Sequence, residues 1–284
     1  MTGSFRWLVE TDWLAAHLAA PDVAVLDATL HLPTTGRNAR TEYLAGHIPG
    51  ALFFDIEDIS DHANELPHML PSAAQFASQV RTLGIGDGTR IVVYDTPGLY
   101  SAARAWWMFR TMGYDDVVVL NGGLKKWQAE GRPLEDGQPQ PRQPRHFTAR
   151  FHAGLVRDKD DVARLLDAKG AQIVDARGAG RFKGTDPEPR AGLRSGHMPG
   201  ALNVPFTTLL NADGTLKATS DLATLFQVAG VDTTKPIVTT CGSGVTAGVL
   251  ALALAELGRP DVAVYDGSWS EWGLETAGTT VVKG

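Results

Sequence analysis

The sequence predicts an α/β fold made twice: two tandem domains, each a parallel sheet flanked by helices. Three observations carry this expectation. The 284-residue chain repeats its own motifs once, in order. Each copy alternates short apolar runs with segments of helical period, and a Pro-rich stretch separates the copies. The repeat begins with Val25-Leu26-Asp27-Ala28, which returns as Ile173-Val174-Asp175-Ala176. Gly46-His47-Ile48-Pro49-Gly50-Ala51-Leu52 returns as Gly196-His197-Met198-Pro199-Gly200-Ala201-Leu202, and Ile91 to Asp95 lines up with Ile237 to Cys241. Asp116 to Trp127 lines up with Asp261 to Trp272, the offset drifting only from 150 to 145. A period this long exceeds any solenoid unit, so each copy should be a whole domain.

The elements follow along each copy. Val23–Leu26, Ile91–Tyr94 and Val117–Leu120 in the first, and Ile173–Val174, Ile237–Thr240 and Val262–Tyr265 in the second, are short, apolar and rich in β-branched residues. Helical spacing marks Ser72–Leu83, Ser101–Met112, Lys159–Leu166, Ser220–Ala229 and Thr246–Leu257. Strands without polar alternation, separated by helices, belong to parallel sheets covered on both faces. From Gly131 to Arg145 the chain reads GRPLEDGQPQPRQPR, with Pro133, Pro139, Pro141 and Pro144 and no helical period. That composition makes an extended, semi-rigid connector. The expected division is a first domain over 1–130, a linker over 131–150 and a second domain over 151–284.

Composition narrows the function. Hydrophobic residues make up 43% and charged residues 20%, and 26 basic against 32 acidic side chains leave a net charge of −6. Such a chain is a poor binder of nucleic acid or of an anionic membrane surface. No apolar run approaches the ~18 residues that span a bilayer. The N-terminus, MTGSFRWLVETDW, has no basic region followed by an apolar one, so no secretory leader is expected. The single cysteine, Cys241, excludes an internal disulfide and a multi-cysteine metal site. A reducing, cytoplasmic location is expected. His31, His62, His146 and His152 show no metal-ligand spacing, so neither a metal nor another cofactor is expected.

Chemistry concentrates at Cys241. It follows the strand Ile237–Thr240 and opens the loop Cys241-Gly242-Ser243-Gly244-Val245-Thr246, which runs into a helix. In parallel sheets, reactive groups gather at the carboxyl ends of strands. Successive loop amides and the start of a helix form a cradle for an anion, and glycines leave those amides uncovered. The nucleophilic thiolate is stabilised in such cradles. A lone cysteine is more often a small buried apolar residue. Against that stands the first copy, which places Asp95 at the aligned position; a charged residue is a strange substitute if packing alone mattered. One copy keeps the nucleophile and the other holds a silent loop. Cysteine phosphatases use a similar loop with an arginine six residues on, to hold phosphoryl oxygens. Here that residue is Ala247.

The tandem repeat, the cysteine in the second copy only and the loop Cys-Gly-Ser-Gly-Val-Thr resemble the rhodanese family, and within it the sulfurtransferases that act on mercaptopyruvate. The stretch from Asp175 through Arg177, Arg181, Phe182, Glu188, Pro189 and Arg190, and Gly267-Ser268-Trp269-Ser270-Glu271-Trp272, share the likeness. The resemblance covers almost the whole chain. It implies five-stranded parallel sheets with the site in the cleft between domains. Cys241 would form a persulfide, and Arg181 and Arg190 would hold the donor's carboxylate and ketone. Ser243, His68 and Glu57 would form a relay, although an aspartate often stands at the position of Glu57. Relatives that use thiosulfate carry basic residues where this chain has Gly242 and Ser243, which favours mercaptopyruvate.

Physical chemistry supports the arginines as well. A guanidinium fork matches a planar carboxylate, and a cation near the ketone stabilises the enolate that forms when the C–S bond breaks. The common fate of an arginine is a surface ion pair; residue type and spacing within the resemblance reverse those odds. His47 and His197 occur in both copies and read as structural, and Asp27 and Asp175 as loop caps bonding backbone amides. Trp106 and Trp107 read as core and domain interface. The implied partners are a small sulfur donor and a thiol acceptor such as thioredoxin or a small thiol. The rival readings are a thiosulfate:cyanide sulfurtransferase and a binding module without turnover.

Overall fold

A computed structural model describes residues 6–140 and 142–284. The expected absence of a leader concerns partly Met1–Phe5, which lie outside the described residues, as does Pro141 of the Pro-rich stretch. The strands of the first half are β1 (Leu8–Val9), β2 (Val23–Asp27), β3 (Leu52–Phe53), β4 (Arg90–Tyr94) and β5 (Val117–Leu120). Its helices are α1 (Thr11–His17), α2 (Ala39–Ala45), α3 (Ala73–Thr82), α4 (Ala102–Thr111) and α5 (Gly123–Ala129). The second half repeats them with β6 (Val156–Arg157), β7 (Gln172–Asp175), β8 (Leu202–Asn203), β9 (Ile237–Thr240) and β10 (Ala263–Tyr265). The matching helices are α6 (Lys159–Ala168), α7 (Ala179–Lys183), α8 (Thr219–Val228), α9 (Ala247–Glu256) and α10 (Ser268–Trp272). These strands pair in parallel, in the orders β1-β5-β4-β2-β3 and β6-β10-β9-β7-β8. The expected α/β class, doubled, is borne out.

Local chemistry explains the starts. Ser72 and Gln75 close a capping box on α3, Ser72 Oγ accepting from the Gln75 amide and Gln75 Oε1 from the Ser72 amide. Asp158 caps α6 by accepting from the Asp161 amide at 2.7 Å. The central strands β4 and β9 are buried along nearly their whole length, as their unbroken apolar runs require. Each lies where the strand order turns back, so the loop after it opens into the crevice typical of such sheets.

The halves share the largest of three apolar clusters, and each has a smaller one of its own. The shared cluster runs from Trp7, Trp106 and Phe109 of the first to Leu250, Leu254 and Val264 of the second. Its seam is α4 against α9. A Cβ on Gly248 would lie 2.9 Å from the Ala103 backbone, so glycine permits this approach. Trp106 and Trp107 are both buried, and Trp107 donates its indole N–H to Leu155 O at 3.0 Å across the interface, as expected of them. The Pro-rich connector is not free of the first half. Its backbone pairs His47 with Glu135, and Phe147 is fully buried against Phe76, Phe109 and Tyr114. Among the described residues, no helix is long and apolar enough to cross a membrane.

Candidate active site

Cys241 stands at the end of central strand β9 and is 2% exposed. The start of α10 fixes the loop's carbonyls. Trp269 N donates to Cys241 O at 3.0 Å and Ser270 N to Gly242 O at 2.8 Å, while Ser268 Oγ accepts from Cys241 N at 3.2 Å. With those carbonyls tied, the loop amides are left for an anion; among the described residues Gly244 and Thr246 N–H find no acceptor. Gly244 adopts φ +74, and a Cβ there would sit 2.7 Å from Asp266 O, so this turn needs glycine.

A cavity of about 200 Å³ surrounds the thiol. Cys241, Gly242, Ser243, Val245 and Thr246 form one wall; Ala176, Arg177, Arg181, Arg190 and Phe206 form another; Leu32 and Tyr100 close it from the first half. Larger hollows exist, but one of about 640 Å³ beside Leu166 and Pro236 lies at the N-terminal edge of the second sheet, away from Cys241.

The two arginines are held differently. Arg181 is tied to Glu188, its Nη2 donating at 2.5 Å and its Nε at 3.2 Å. Glu188, with a side chain 1% exposed, also accepts from Arg177 at 2.8 Å. Arg177 in turn grips Asp175 and lies over the Trp269 ring at 4.1 Å. This buried network aims the Arg181 guanidinium across the loop. A Cβ on Gly242 would meet Arg181 Nη2 at 3.0 Å. Arg190 is freer; its Nη2 faces His68 Nε2 at 3.4 Å.

The histidine comes from the first half. His68 is 6% exposed, with a left-handed backbone at φ 61. Its Nδ1 lies 2.9 Å from Glu57 Oε2. The contact is close, although the Nδ1–H direction falls short of good hydrogen-bond geometry. His68 nonetheless holds the Glu57 carboxyl below the usual carboxylate range. A guanidinium only donates, so its approach at 3.4 Å suits an accepting Nε2 and a ring proton on Nδ1, the nitrogen nearer Glu57. Ser243 is buried in the pocket wall, but among the described residues no hydrogen bond joins it to His68. The structure thus brings Cys241, Ser243, Arg181 and Arg190 to one cavity, sets His68 beside Arg190 and Glu57 beside His68, and leaves the link to Ser243 unmade.

Sequence reasoning missed Tyr100 and Arg104. Tyr100 packs edge-on against Phe206 at 5.6 Å, and burial, with Cys241 nearby, pushes its phenol up to about 12. It is therefore a neutral donor throughout the physiological range. Its only sequence signal was a place just before the helix of the silent loop. The bland readings hold where they were made. His47 and His197 stack on Tyr43 and Phe182 and bond backbone carbonyls through Nδ1. Asp27 and Asp175 accept the Thr29 and Arg177 amides, each at 2.9 Å. Among the described residues no group of three His, Cys, Asp or Glu side chains is placed to hold a metal.

Comparison with known proteins now decides the family. The rhodanese-like domain model matches residues 10–130 and 158–275. The chain belongs to the rhodanese family. It is 49% identical over 271 residues to a 3-mercaptopyruvate sulfurtransferase of Escherichia coli (strain K12), covering 95% of this chain and 96% of the relative. It is 46% identical over 275 residues to a thiosulfate sulfurtransferase of Bos taurus, covering 94% and 92%. Its fold matches the crystal structure of SseA from Escherichia coli, described as a 3-mercaptopyruvate sulfotransferase. The TM-score is 0.85 at 47% identity, with 93% of this chain and 99% of that one covered. Rhodanese relatives of similar identity thus carry two donor names, so the donor must be argued from the pocket.

Proposed function

We propose that this enzyme moves sulfur from 3-mercaptopyruvate through a persulfide on Cys241 to a thiol acceptor, releasing pyruvate. The observation that carries the reading is one buried thiol facing two guanidiniums in a cavity sized for a small 2-oxo acid. The Cys241 thiolate attacks the donor's sulfur. The C–S bond breaks, its electron pair stays on carbon as the enolate of pyruvate, and that carbon takes a proton. Arg190 and Arg181 hold the carboxylate and the ketone oxygen, where the charge develops. The amides of Gly242, Gly244, Val245 and Thr246 cradle the sulfur. His68, polarised by Glu57, serves the proton transfers with Ser243. An acceptor thiolate then attacks the outer sulfur and Cys241 leaves as thiolate; thioredoxin, a small thiol and cyanide all have the needed nucleophile. No cofactor enters either step. Such chemistry suits a reducing compartment such as the cytoplasm.

The glycine at 242 supports mercaptopyruvate over thiosulfate. A Cβ there would meet Arg181 Nη2 at 3.0 Å, so a larger side chain would have to shift the arginine from Glu188. The test is twofold. Incubation with 3-mercaptopyruvate should add the mass of one sulfur to the intact chain, and no added mass would leave only a binding module. The ratio of specificity constants for the two donors should favour mercaptopyruvate; a ratio favouring thiosulfate replaces the donor and keeps the persulfide.

A further inference from the structure

Each half docks a loop onto the other in the same way. In the first half residues 61–69 form a loop closed by Asp61 N donating to Met69 O at 2.8 Å. Its counterpart, 211–215, is closed by Asn211 N donating to Thr215 O at 2.8 Å. Leu70 N, just past the first loop, donates to Asp266 Oδ2 at 2.8 Å. Leu216 N, just past the second, donates to Asn121 Oδ1 at 2.9 Å. Asp266 and Asn121 occupy equivalent positions, directly after β10 and β5. A neutral amide therefore suffices to dock one of these loops.

Beneath the cysteine the arrangement is charged. Arg104, on α4 of the silent half and fully buried, donates through Nη1 to Asp266 Oδ1 at 2.6 Å and to Gly244 O at 3.3 Å. Its Nη2 donates to His68 O. The aligned residue on α9 is Leu250. Burying an ion pair costs desolvation, and docking does not require one, as Asn121 and Leu250 demonstrate. We infer that Arg104, paired with Asp266, is a positioning residue for sulfur uptake: it sets the cysteine loop and His68 in register across the domain interface. This rests on the sulfurtransferase reading above.

The geometry fits a fork. His68 has a backbone conformation that a non-glycine residue adopts reluctantly. The guanidinium holds its carbonyl, which keeps the ring turned toward Glu57 and Arg190. The same group lies against the turn of the cysteine loop, where a Cβ on Gly244 would come within 2.9 Å of Nη1. Three acceptors from three segments meet one planar cation. A lysine ammonium keeps the charge but not the divergent donors.

The silent half supplies the test. The double variant Arg104→Leu/Asp266→Asn carries the neutral pair that already docks the other loop. It should fold and melt near the wild type. At saturating 3-mercaptopyruvate its sulfur uptake, followed by quenching and intact mass, should slow by at least about tenfold, with the half-saturating donor concentration within about threefold because Arg181 and Arg190 are untouched. Arg104→Lys should fall between the two. An uptake rate within about threefold of wild type overturns the inference. So does a double variant that fails to fold, since the pair would then be structural, or a lysine variant as fast as wild type. A wild-type chain that takes sulfur from neither mercaptopyruvate nor thiosulfate overturns the functional reading and this inference with it; a competent wild type beside an equally fast double variant overturns the inference alone.

Discussion

Asp95 and Cys241 follow the central strands of two copies of one fold, and their surroundings show two uses of one loop. The Asp95 carboxylate turns into its own loop and accepts the amides of Gly98 at 3.0 Å, Tyr100 at 2.7 Å and Ala102 at 2.7 Å. It fills the anion cradle with a tethered anion. Burial still raises its carboxyl above the usual range, against the pull of those amides. Outside, Gly98 meets Gly214 of the other half so closely that a Cβ would sit 2.9 Å from Cα. The Cys241 loop keeps its amides for an incoming group, and the element docked on it brings His68 instead of a glycine turn. The same backbone therefore holds a filled cradle or the cradle proposed for sulfur transfer, depending on one side chain and on what the partner half delivers.

The contrast can be broken at its centre first. Cys241→Ser should abolish sulfur uptake while circular dichroism and melting stay near wild type, because the hydroxyl forms no persulfide; residual uptake would mean that a second group carries sulfur. Next come the arginines. Losing a charged contact to the donor should lower kcat/KM for mercaptopyruvate by about 2–3 kcal/mol, or roughly 30- to 150-fold, and that for thiosulfate less. Arg190→Ala should fall further than Arg181→Ala, since Arg181 is partly engaged by Glu188. Equal losses with both donors would assign the arginines to loop architecture.

On the silent side the effects move from rate to stability. Asp95→Ala leaves three amides without their acceptor, at about 1–3 kcal/mol for each that stays buried. The melting temperature should drop while sulfur uptake per folded molecule is kept. A collapse of uptake without unfolding would make the silent loop catalytic. The smallest effect concerns pH. Burial lifts Asp27 from 3.8 to about 6. The native state then holds a proton that the unfolded chain releases, so this group's contribution is present below about pH 4 and is lost as pH rises through about 6. Asp27→Asn should gain stability relative to wild type between pH 4 and 7; a difference in melting temperature that stays flat across this window would show that Asp27 is ionised when folded.

The fold was legible because its signals are local. The β-branched runs, which the repeat shows twice, and Ser72 before its helix each act within a few residues. Strands β1 and β6, two residues long, carry no period and are defined only by pairing with β5 and β10. The proposal for Cys241 drew on equally local signals, since strand, cysteine and glycines adjoin. Arg104 was not, because it sits inside an apolar helix that reads as core, and its acceptors at His68, Gly244 and Asp266 are distant in sequence. Glu188 stood in the motif but its role did not show, because only the fold places Arg177 and Arg181 on both sides of it.

The close seam between α4 and α9 means that the two halves cannot be treated as beads on a string. Proteolytic nicking of the connector would leave the pieces joined, since Phe147 and the shared core hold without an intact backbone. Heating should dissolve both halves in a single transition, because parting them uncovers apolar surface that neither can hide by itself. A library that shuffles one half against its relatives must keep residues 103 and 248 small, or the cleft will never assemble.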